Sequence, residues 1–499
     1  MREVERKFKV HAGFEVPDLT GGVVERIEDG GTVTLLATYF DTPDLRLARA
    51  GVTLRRRTGG KDEGWHLKLP VEGRVGVREE LSQPLTEDQT DVPGRFRDLV
   101  RAWVRFTDLH PAAVLETTRT IRTLHDPAGQ ALAEVVDDLV AVRNGEHVTA
   151  RFREIEVEDR TGGDEILDAV ADRLQSAGAV GGSFAPKAVR ALGSSATAPP
   201  DPPLPGPVSE SATARDLVAS YLRRQVHQLL RHDPLLRLDA PDAVHQVRVA
   251  SRRLRAALHV ARPLLAPDSV EELRTELRWL AGEMSEARDA EVMLARLVDR
   301  AHALPPELLI GPVVALLQSE IGGGLSVGQV RAATTLDSER YLALLDDLVQ
   351  VATEPPLLDA ADGAAAKVAP KLVRREWRRL EESVEPVRRT DANEAYHRAR
   401  IAAKRLRYAC ELVVPVCGKP ASRMARLAEE VQELLGEHQD AVVAAAELRR
   451  IAVSRRGREV GFSLGLLHAA EQEAATGAKA RFAELWPRVA KAENRAWLR

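Results

Sequence analysis

The chain has 499 residues, too many for one ordinary domain and comfortable for two or three. Hydrophobic residues at 44% and charged residues at 29% support packed cores and exclude wholesale disorder. With 71 basic against 75 acidic residues and a net charge of −4, this is no generally basic nucleic-acid binder, and any anion site must come from local arrangement.

From the N-terminus to about residue 193 the sequence reads as strands. VERKFKV, TLLATYFDT, GVTLRRRT, GWHLKLP, TRTIRTL, ALAEVVDD and REIEVED are short runs separated by Gly, Pro and Asp turns, with helical pieces around 93–106 and 164–177. An antiparallel sheet or barrel with a few helices is expected. Side chains along a strand alternate between faces. Glu3, Glu5 and Lys7 therefore share one face, as do Arg55 with Arg57, His66 with Lys68, and Arg78 with Glu80. Glu154, Glu156 and Glu158 stand opposite Ile155 and Val157. Carboxylates thus lie on the first and last strands, with guanidinium and ammonium groups on those between. If the sheet closes with these faces inward, the lumen has a basic wall suited to phosphate oxygens and an acidic wall suited to a hard divalent cation. Such a lumen fits a metal–polyphosphate substrate.

Residues 194–211, SSATAPPDPPLPGPVSES, carry proline at a density that prevents helix and sheet and favours an extended spacer. The expected domains are 1–195 and 212–499, with 196–211 as linker.

Beyond the linker the sequence reads as long Ala/Leu/Arg/Glu helices, with 312–362, which holds GGGLSVGQ and PPLL, read as an irregular loop. HQVRVASRRLRAALHVARPLL begins at His245 and HRARIAAKRLRYACELVVPVC at His397, each followed by a helix closing on LAGEMSEARDAEV or LLGEHQDAVV. His245 precedes Asp289 by 44 positions and His397 precedes Asp440 by 43, so one helical unit is repeated. At 100° per residue, Arg248, Arg252, Arg255 and His259 fall with His245 in one sector, opposite Val247, Ala250, Leu254 and Leu258. His397, Arg400, Lys404 and Arg407 repeat the basic positions, opposite Ala399, Ala402, Leu406 and Cys410. Arg224, His227 and Arg231, and Lys371, Arg375 and Arg378, add cations at similar spacing. A solvated helix face normally mixes Glu with Lys and Arg. These stripes hold no carboxylate, and like charges so close repel unless a polyanion answers them. The two cysteines, Cys410 and Cys417, have neither a disulfide framework nor zinc spacing and suit a reducing compartment. The opening MREVERKFKV lacks an apolar signal core, and no run reaches the roughly 18 apolar residues of a membrane span, so a cytoplasmic protein is expected.

Glu3-Val4-Glu5-Arg6-Lys7 resembles the ExExK signature of the CYTH family, the triphosphate tunnel metalloenzymes, and YFDTPDLRLARAGVTLRRR, WHLKLP, VREE, REIEVE and Lys187 appear in family order. The resemblance covers about residues 1–195. It implies an antiparallel eight-stranded tunnel barrel that hydrolyses a triphosphate or longer chain with Mg²⁺ or Mn²⁺, in-line and without a covalent nucleophile. Glu3, Glu5, Glu154 and Glu156 are implied as metal ligands, and Glu3, Glu5 and Lys7 as the catalytic signature. Lys7, Arg55, Arg57, Lys68, Arg78, Arg119 and Lys187 are implied as phosphate binders, with Glu80 organising the basic wall. Arg119 and Arg122 compete for one position. Asp137 or Asp138, with Glu134, supplies the acidic pair of the seventh strand. Pleat register decides among Glu154, Glu156 and Glu158, and Glu154 with Glu156 is the favoured pair.

The doubled His-x-x-Arg helix resembles the CHAD domain, an all-α bundle of two repeats, over about residues 212–499. It implies inorganic polyphosphate in a basic groove lined by Arg224, Arg231, His245, Arg248, Arg252, Arg255, Lys371, Arg375, Arg378, His397, Arg400, Lys404 and Arg407. Arginine partners argue against a metal on the histidines. The expected protein is a multidomain α+β hydrolase of triphosphate or polyphosphate. The alternatives are a non-catalytic polyphosphate-binding protein and a nucleotide cyclase or thiamine-triphosphatase-like enzyme. Its partners would be polyphosphate or triphosphate-bearing small molecules, at polyphosphate granules or free, with no specific nucleic acid and no membrane; a homodimer is left open.

Overall fold

The computed structural model describes residues 2–3, 5–71, 78–86, 90–182, 186–454 and 460–499, without the side chains of 2, 3, 268, 269, 286, 287, 325, 326 and 329. The chain divides into two compact units, Met1–Asp201 and Pro202–Arg499.

The first unit is built on one antiparallel sheet. Its strands are β1 (Arg2–Glu3), β2 (Glu5–Val10), β3 (Arg26–Asp41), β4 (Thr53–Thr58), β5 (Gly64–Pro70), β6 (Arg78–Gln83), β7 (His110–His125), β8 (Ala131–Asn144), β9 (His147–Asp159) and β10 (Val180–Gly181). Their order is β1-β6-β5-β4-β3-β7-β8-β9-β2-β10. β1 and β2 lie one residue apart in the chain, so the first segment borders β6 through Glu3 opposite Arg78 and β9 through Glu5 opposite Glu158. That double pairing gives the sheet the arrangement of a tunnel.

Strands β3 and β7 reach far beyond the TLLATYFDT and TRTIRTL runs. The added part of β3, residues 26–33, is polar and mostly exposed on both faces, so no alternation marks it, whereas the added part of β7, residues 110–117, is largely apolar and buries Leu115 and Thr117. A bulge between Asp29 and Gly31, with Gly31 at φ +79°, bends β3 there.

The pleat sorts the residues. On β9, Ile155 and Val157 are fully buried against α3 (Gly163–Ser176), in a cluster with Phe8, Leu167, Val170 and Leu174. Burying each such side chain is worth about 1.5–3 kcal/mol, enough to fix which face turns outward. The alternate residues Glu154, Glu156 and Glu158 therefore face the lumen. Three further helices complete the unit: α1 (Arg46–Arg49), α2 (Gly94–Val104) and α4 (Lys187–Leu192).

The second unit is helical: α5 (Ala214–Arg237), α6 (Ala243–Val260), α7 (Pro267–Glu283), α8 (Ser285–His302), α9 (Val313–Asp337), α10 (Glu339–Thr353), α11 (Ala365–Thr390), α12 (Asn393–Ser454), α13 (Gly461–Val489) and α14 (Ala492–Arg495). Thr213 and Asp216 form a capping box that starts α5. The stretch 312–362, expected as a loop, is instead mostly α9 and α10. α9 tolerates its glycines because Val313, Leu317 and Ile321 are buried with Leu297 of α8 and Leu448 of α12, and tertiary packing overrides propensity.

In the first repeat, α6 passes through a short 3-10 turn into α7. In the second, the two arms are both in α12, which breaks at Gly418 (φ 56°, ψ −136°), a conformation open only to glycine. The expected apolar positions Val247, Ala250, Leu254 and Leu258 on α6, and Ala399, Ala402, Leu406 and Cys410 on α12, are all buried. No described helix is long and apolar enough to cross a membrane.

Candidate functional site: a two-walled tunnel and a basic groove

The lumen of the first unit is a cavity of about 370 Å³. Adjacent strands β4, β5 and β6 supply one wall, with Arg55, Lys68, Arg78 and Glu80. Glu80 gathers this wall. It accepts from His66 Nδ1 at 2.9 Å and lies 3.3 Å from Lys68 Nζ and 3.8 Å from Arg55 Nη2. Burial disfavours its charge, but the His66 hydrogen bond and the Lys68 and Arg55 charges overcome that and hold Glu80 at about 2. Burial is also the main reason His66 is pushed down, against the Glu80 hydrogen bond that raises it, and its Nε2 lies 2.9 Å from the Asp62 carbonyl. Arg55 is hydrogen-bonded to the Tyr39 hydroxyl, and that contact outweighs its desolvation and raises it.

Strands β2, β8 and β9 supply the other wall. Ligand oxygens of Glu5, Glu156 and Glu158 lie within 4.8 Å of one another. Lys7 Nζ bonds Glu156 and sits 3.1 Å from Glu5. Lys187, at the start of α4, reaches Asp138 at 2.6 Å and both Glu154 and Glu156 at 3.1 Å. Arg119 grips Asp138 with two bonds of 2.8 and 2.7 Å. Burial opposes ionisation of Glu156, yet Lys187, Lys7 and Arg119 hold it well below the usual carboxylate range.

In the second unit a groove of about 270 Å³ lies among α6, α7 and α12. Among the described residues its lining holds seven cations, Arg252, Arg255, Arg274, Arg278, Arg400, Lys404 and Arg405, and no carboxylate. Glu271, outside the lining, answers Arg274 at 2.5 Å, but the lining itself gathers like charges in a small volume, which is the electrostatic form of a polyanion site.

Two family models match the chain, a CYTH domain over residues 1–191 and a CHAD domain over residues 220–449. This chain is a CYTH–CHAD protein. It is 35% identical over 519 residues to an uncharacterised protein of Mycobacterium tuberculosis H37Rv, an alignment covering 99% of this chain and 97% of that one. Human thiamine-triphosphatase is 45% identical over 80 residues, 15% of this chain and 29% of that protein. Among solved structures, PptA from Streptomyces chartreusis superposes with a TM-score of 0.49 at 26% identity, over 56% of this chain and all of that one.

In the CYTH lumen the structure decides the open positions. Arg119 lies opposite Asp138 across the β7–β8 ladder and faces inward, so Arg122, three residues on, does not. Asp138 likewise faces the lumen with Glu134, whereas Asp137 is on the other face, bound to Arg153 at 2.8 and 2.7 Å. Among the glutamates, Glu158 rather than Glu154 joins Glu5 and Glu156. Glu154 is turned to Arg190 at 2.6 Å and to Lys187. Lys187, expected on phosphate, is already spoken for by three carboxylates, as Arg119 is by two. Arg57 lines the lumen and pairs with Asp62. Glu3 lies in β1 opposite Arg78, and its side chain is outside the described residues. The three convergent carboxylates fit a hard divalent ion: they offer oxygen donors only, and the Lys7 ammonium already marks the spot as one that holds a cation.

The CHAD groove keeps only part of the expected stripe. Arg252, Arg255, His259, Arg400 and Lys404 line it. Arg248 instead donates to the Met284 and Ser285 carbonyls and to Asp289, tying α6 to the α7–α8 junction. Arg407 is bound by Glu411 and Glu429, each at 2.9 Å. His397 bonds Gln439, and His245 lies outside the groove lining. Arg375 donates to the His259 carbonyl, and Arg379, not Arg378, donates to His259 Nε2 at 2.5 Å. A guanidinium can only donate, so that nitrogen is the acceptor and the His259 proton is on Nδ1. Burial, then Arg405 and Arg379, push His259 down to about 3. Arg224, Arg231, Lys371 and Arg378 do not line the groove. Arg274 and Arg278 of α7, with Arg405 and Tyr408, were missed by the stripe criterion. The signal was their four-residue spacing, hidden by Glu271, Glu272 and Glu276 on the same helix.

Proposed function

We propose that the CYTH domain, residues 1–195, is a divalent-metal-dependent hydrolase of inorganic triphosphate or polyphosphate, and that the CHAD domain, residues 212–499, holds the polymer in its groove. The division of the lumen into a cationic wall around Glu80 and a wall where three carboxylates converge carries this reading. Arg55, Lys68 and Arg78 hold the phosphate oxygens and fix the chain along the lumen. Water attacks the terminal phosphorus in line, the bridging P–O bond breaks, and the leaving phosphate keeps its charge on the same cations. A divalent ion at Glu5, Glu156 and Glu158 would neutralise phosphate charge during this step. Lys7 and Lys187 keep Glu156 ionised and ready to serve as a ligand.

The local identity to thiamine-triphosphatase supports a second reading, thiamine triphosphate as substrate. Against it, Tyr39 is the single aromatic ring among the described residues lining the lumen, a poor platform for an organic group. Phosphate release from tripolyphosphate, long-chain polyphosphate, ATP and thiamine triphosphate, each with Mg²⁺ and with Mn²⁺, separates the readings. The inorganic substrates are expected to be preferred. Preference for thiamine triphosphate would overturn that choice, and release without metal would overturn the role of the carboxylates.

A further inference from the structure

Six of the seven cations lining the CHAD groove are arginines, and Lys404 is the exception. A guanidinium keeps its proton throughout the physiological range, whereas an ammonium desolvated among like charges gives its proton up. Lys404 is placed for that. Arg400 precedes it by one turn on α12, and Arg248, Arg252 and Arg255 face it from α6. From α7, Arg274 and Arg278 act on Arg255. From α11, Arg375 and Arg379 are turned to His259 and Glu376. Two acidic groups lie nearby. Asp440, further along α12, feels the charges of Arg400, Arg296 and, more weakly, Lys404, and Asp289 of α8 binds Arg248 at 3.1 Å. Among the described residues no carboxylate forms an ion pair with Lys404. Burial and the four guanidinium charges push its ammonium down to about 7.

We infer that the CHAD groove takes up a proton together with its polyanion, and that Lys404 Nζ is the atom that receives it. In the free protein above neutral pH, Lys404 is largely an amine that relieves the crowding of its arginine neighbours. When phosphate oxygens enter, their charge offsets the guanidinium field, the amine takes a proton from the buffer, and the ammonium becomes a further phosphate contact. The proton leaves with the ligand. Linkage then sets the direction: affinity is highest below about pH 7 and falls as pH rises above it, because free protein must first acquire the proton. A groove of arginines alone would bind with the same charge at every pH. The inference rests on the groove being the polyphosphate site.

The test is calorimetric titration of the full chain with long-chain inorganic polyphosphate, with a chelator present to prevent metal-dependent turnover. Interior phosphates of such a chain titrate only in strong acid, so few of its own protons interfere. At pH 8, heats measured in buffers of different ionisation enthalpy should show wild type taking up about one proton more per groove filled than Lys404→Arg. The lumen is the same in both proteins, so its contribution cancels. Lys404→Arg should also bind more tightly than wild type at pH 8, and the two should converge at pH 6. Equal proton uptake at pH 8, with binding intact in both, overturns the inference and leaves the groove standing. Unchanged polyphosphate affinity in Arg252→Glu/Arg255→Glu overturns the groove itself.

Discussion

Lys7 and Glu156 stand directly opposite each other in the β2–β9 ladder, and the ammonium of one bonds the carboxylate of the other. Glu5, on the same face two residues before Lys7, completes a cluster in which one lysine bridges two carboxylates from different strands. Sheet register therefore builds the acidic wall: a one-residue slip in either strand would turn every member outward.

The first prediction separates Glu158 from Glu154. Glu5→Gln and Glu158→Gln keep shape and remove a carboxylate from the convergent set. Metal-dependent phosphate release should fall in each by more than the roughly 10–100-fold typical of outer-shell partners. Glu154→Gln disturbs only the Arg190 and Lys187 contacts and should stay within about 10-fold of wild type. Release rates against Mg²⁺ concentration give the comparison, and equal losses in the Glu154 and Glu158 variants would return Glu154 to the ligand set.

Acid should loosen the basic wall in a defined window. The Glu80 carboxyl is lowered from 4.5 to about 2 in the folded protein, so its contribution to stability is fully present above about pH 4.5 and is lost as pH falls towards 2. The loss is at most about 3 kcal/mol. Glu80→Gln lacks this contribution, so its stability should decline less steeply across the window than that of wild type. Denaturant unfolding of both proteins at pH 5 and pH 3 is the measurement, and parallel declines would remove Glu80 from the account.

For the groove, Arg252→Glu combined with Lys404→Glu should weaken polyphosphate binding far more than it changes triphosphate hydrolysis. Binding by wild type should fall steeply with salt, as charge neutralisation by several cations requires. Arg278→Glu should weaken binding comparably to Arg252→Glu alone, whereas Arg378→Glu and Lys371→Glu, outside the lining, should have little effect. Duplex DNA, a wide stiff cylinder, should compete poorly. A flat salt response, or a strong effect of Arg378→Glu, would point to a different face.

Much of the lumen was legible because strand alternation is a strict rule. Lys7, Arg55, Lys68, Arg78 and Glu80 could be set on shared faces from spacing alone. Alternation does not say which face turns inward, nor which of two neighbouring residues lies opposite a given partner, so Arg119 against Arg122 and Asp137 against Asp138 needed the ladder. The helical stripe misled where partners come from outside the stripe. Arg248 is claimed by Asp289 on another helix, and Arg407 by Glu411 just past the end of the stripe. A criterion that rejects interleaved glutamates also passed over Arg274, whose partner Glu271 leaves it in the groove lining. The glycines of 322–324 suggested a loop, and only the packing of α9 against α8 shows why a helix wins.

Lys404 also sets a stability prediction. Its ammonium is lowered from 10.5 to about 7 on folding, so the unfolded chain binds more protons between those values and stability rises with pH across that window. Below pH 7 the folded protein carries the full repulsion. Lys404→Met removes it, so the variant should melt a few degrees higher than wild type at pH 6, with a smaller gain at pH 9. The same variant should bind polyphosphate more weakly. A variant less stable than wild type at pH 6 would show that Lys404 stabilises the groove by packing.

The central claim is that the two-walled lumen turns over inorganic triphosphate. Its most direct test is the rate of phosphate release from tripolyphosphate by the full chain, with Mg²⁺ or Mn²⁺ and with chelator, in wild type and in Glu5→Gln. The account predicts release that requires the metal and is nearly abolished in the variant while the fold is kept. Tight binding of tripolyphosphate with no release at any metal concentration, or equal release by wild type and Glu5→Gln, would contradict it.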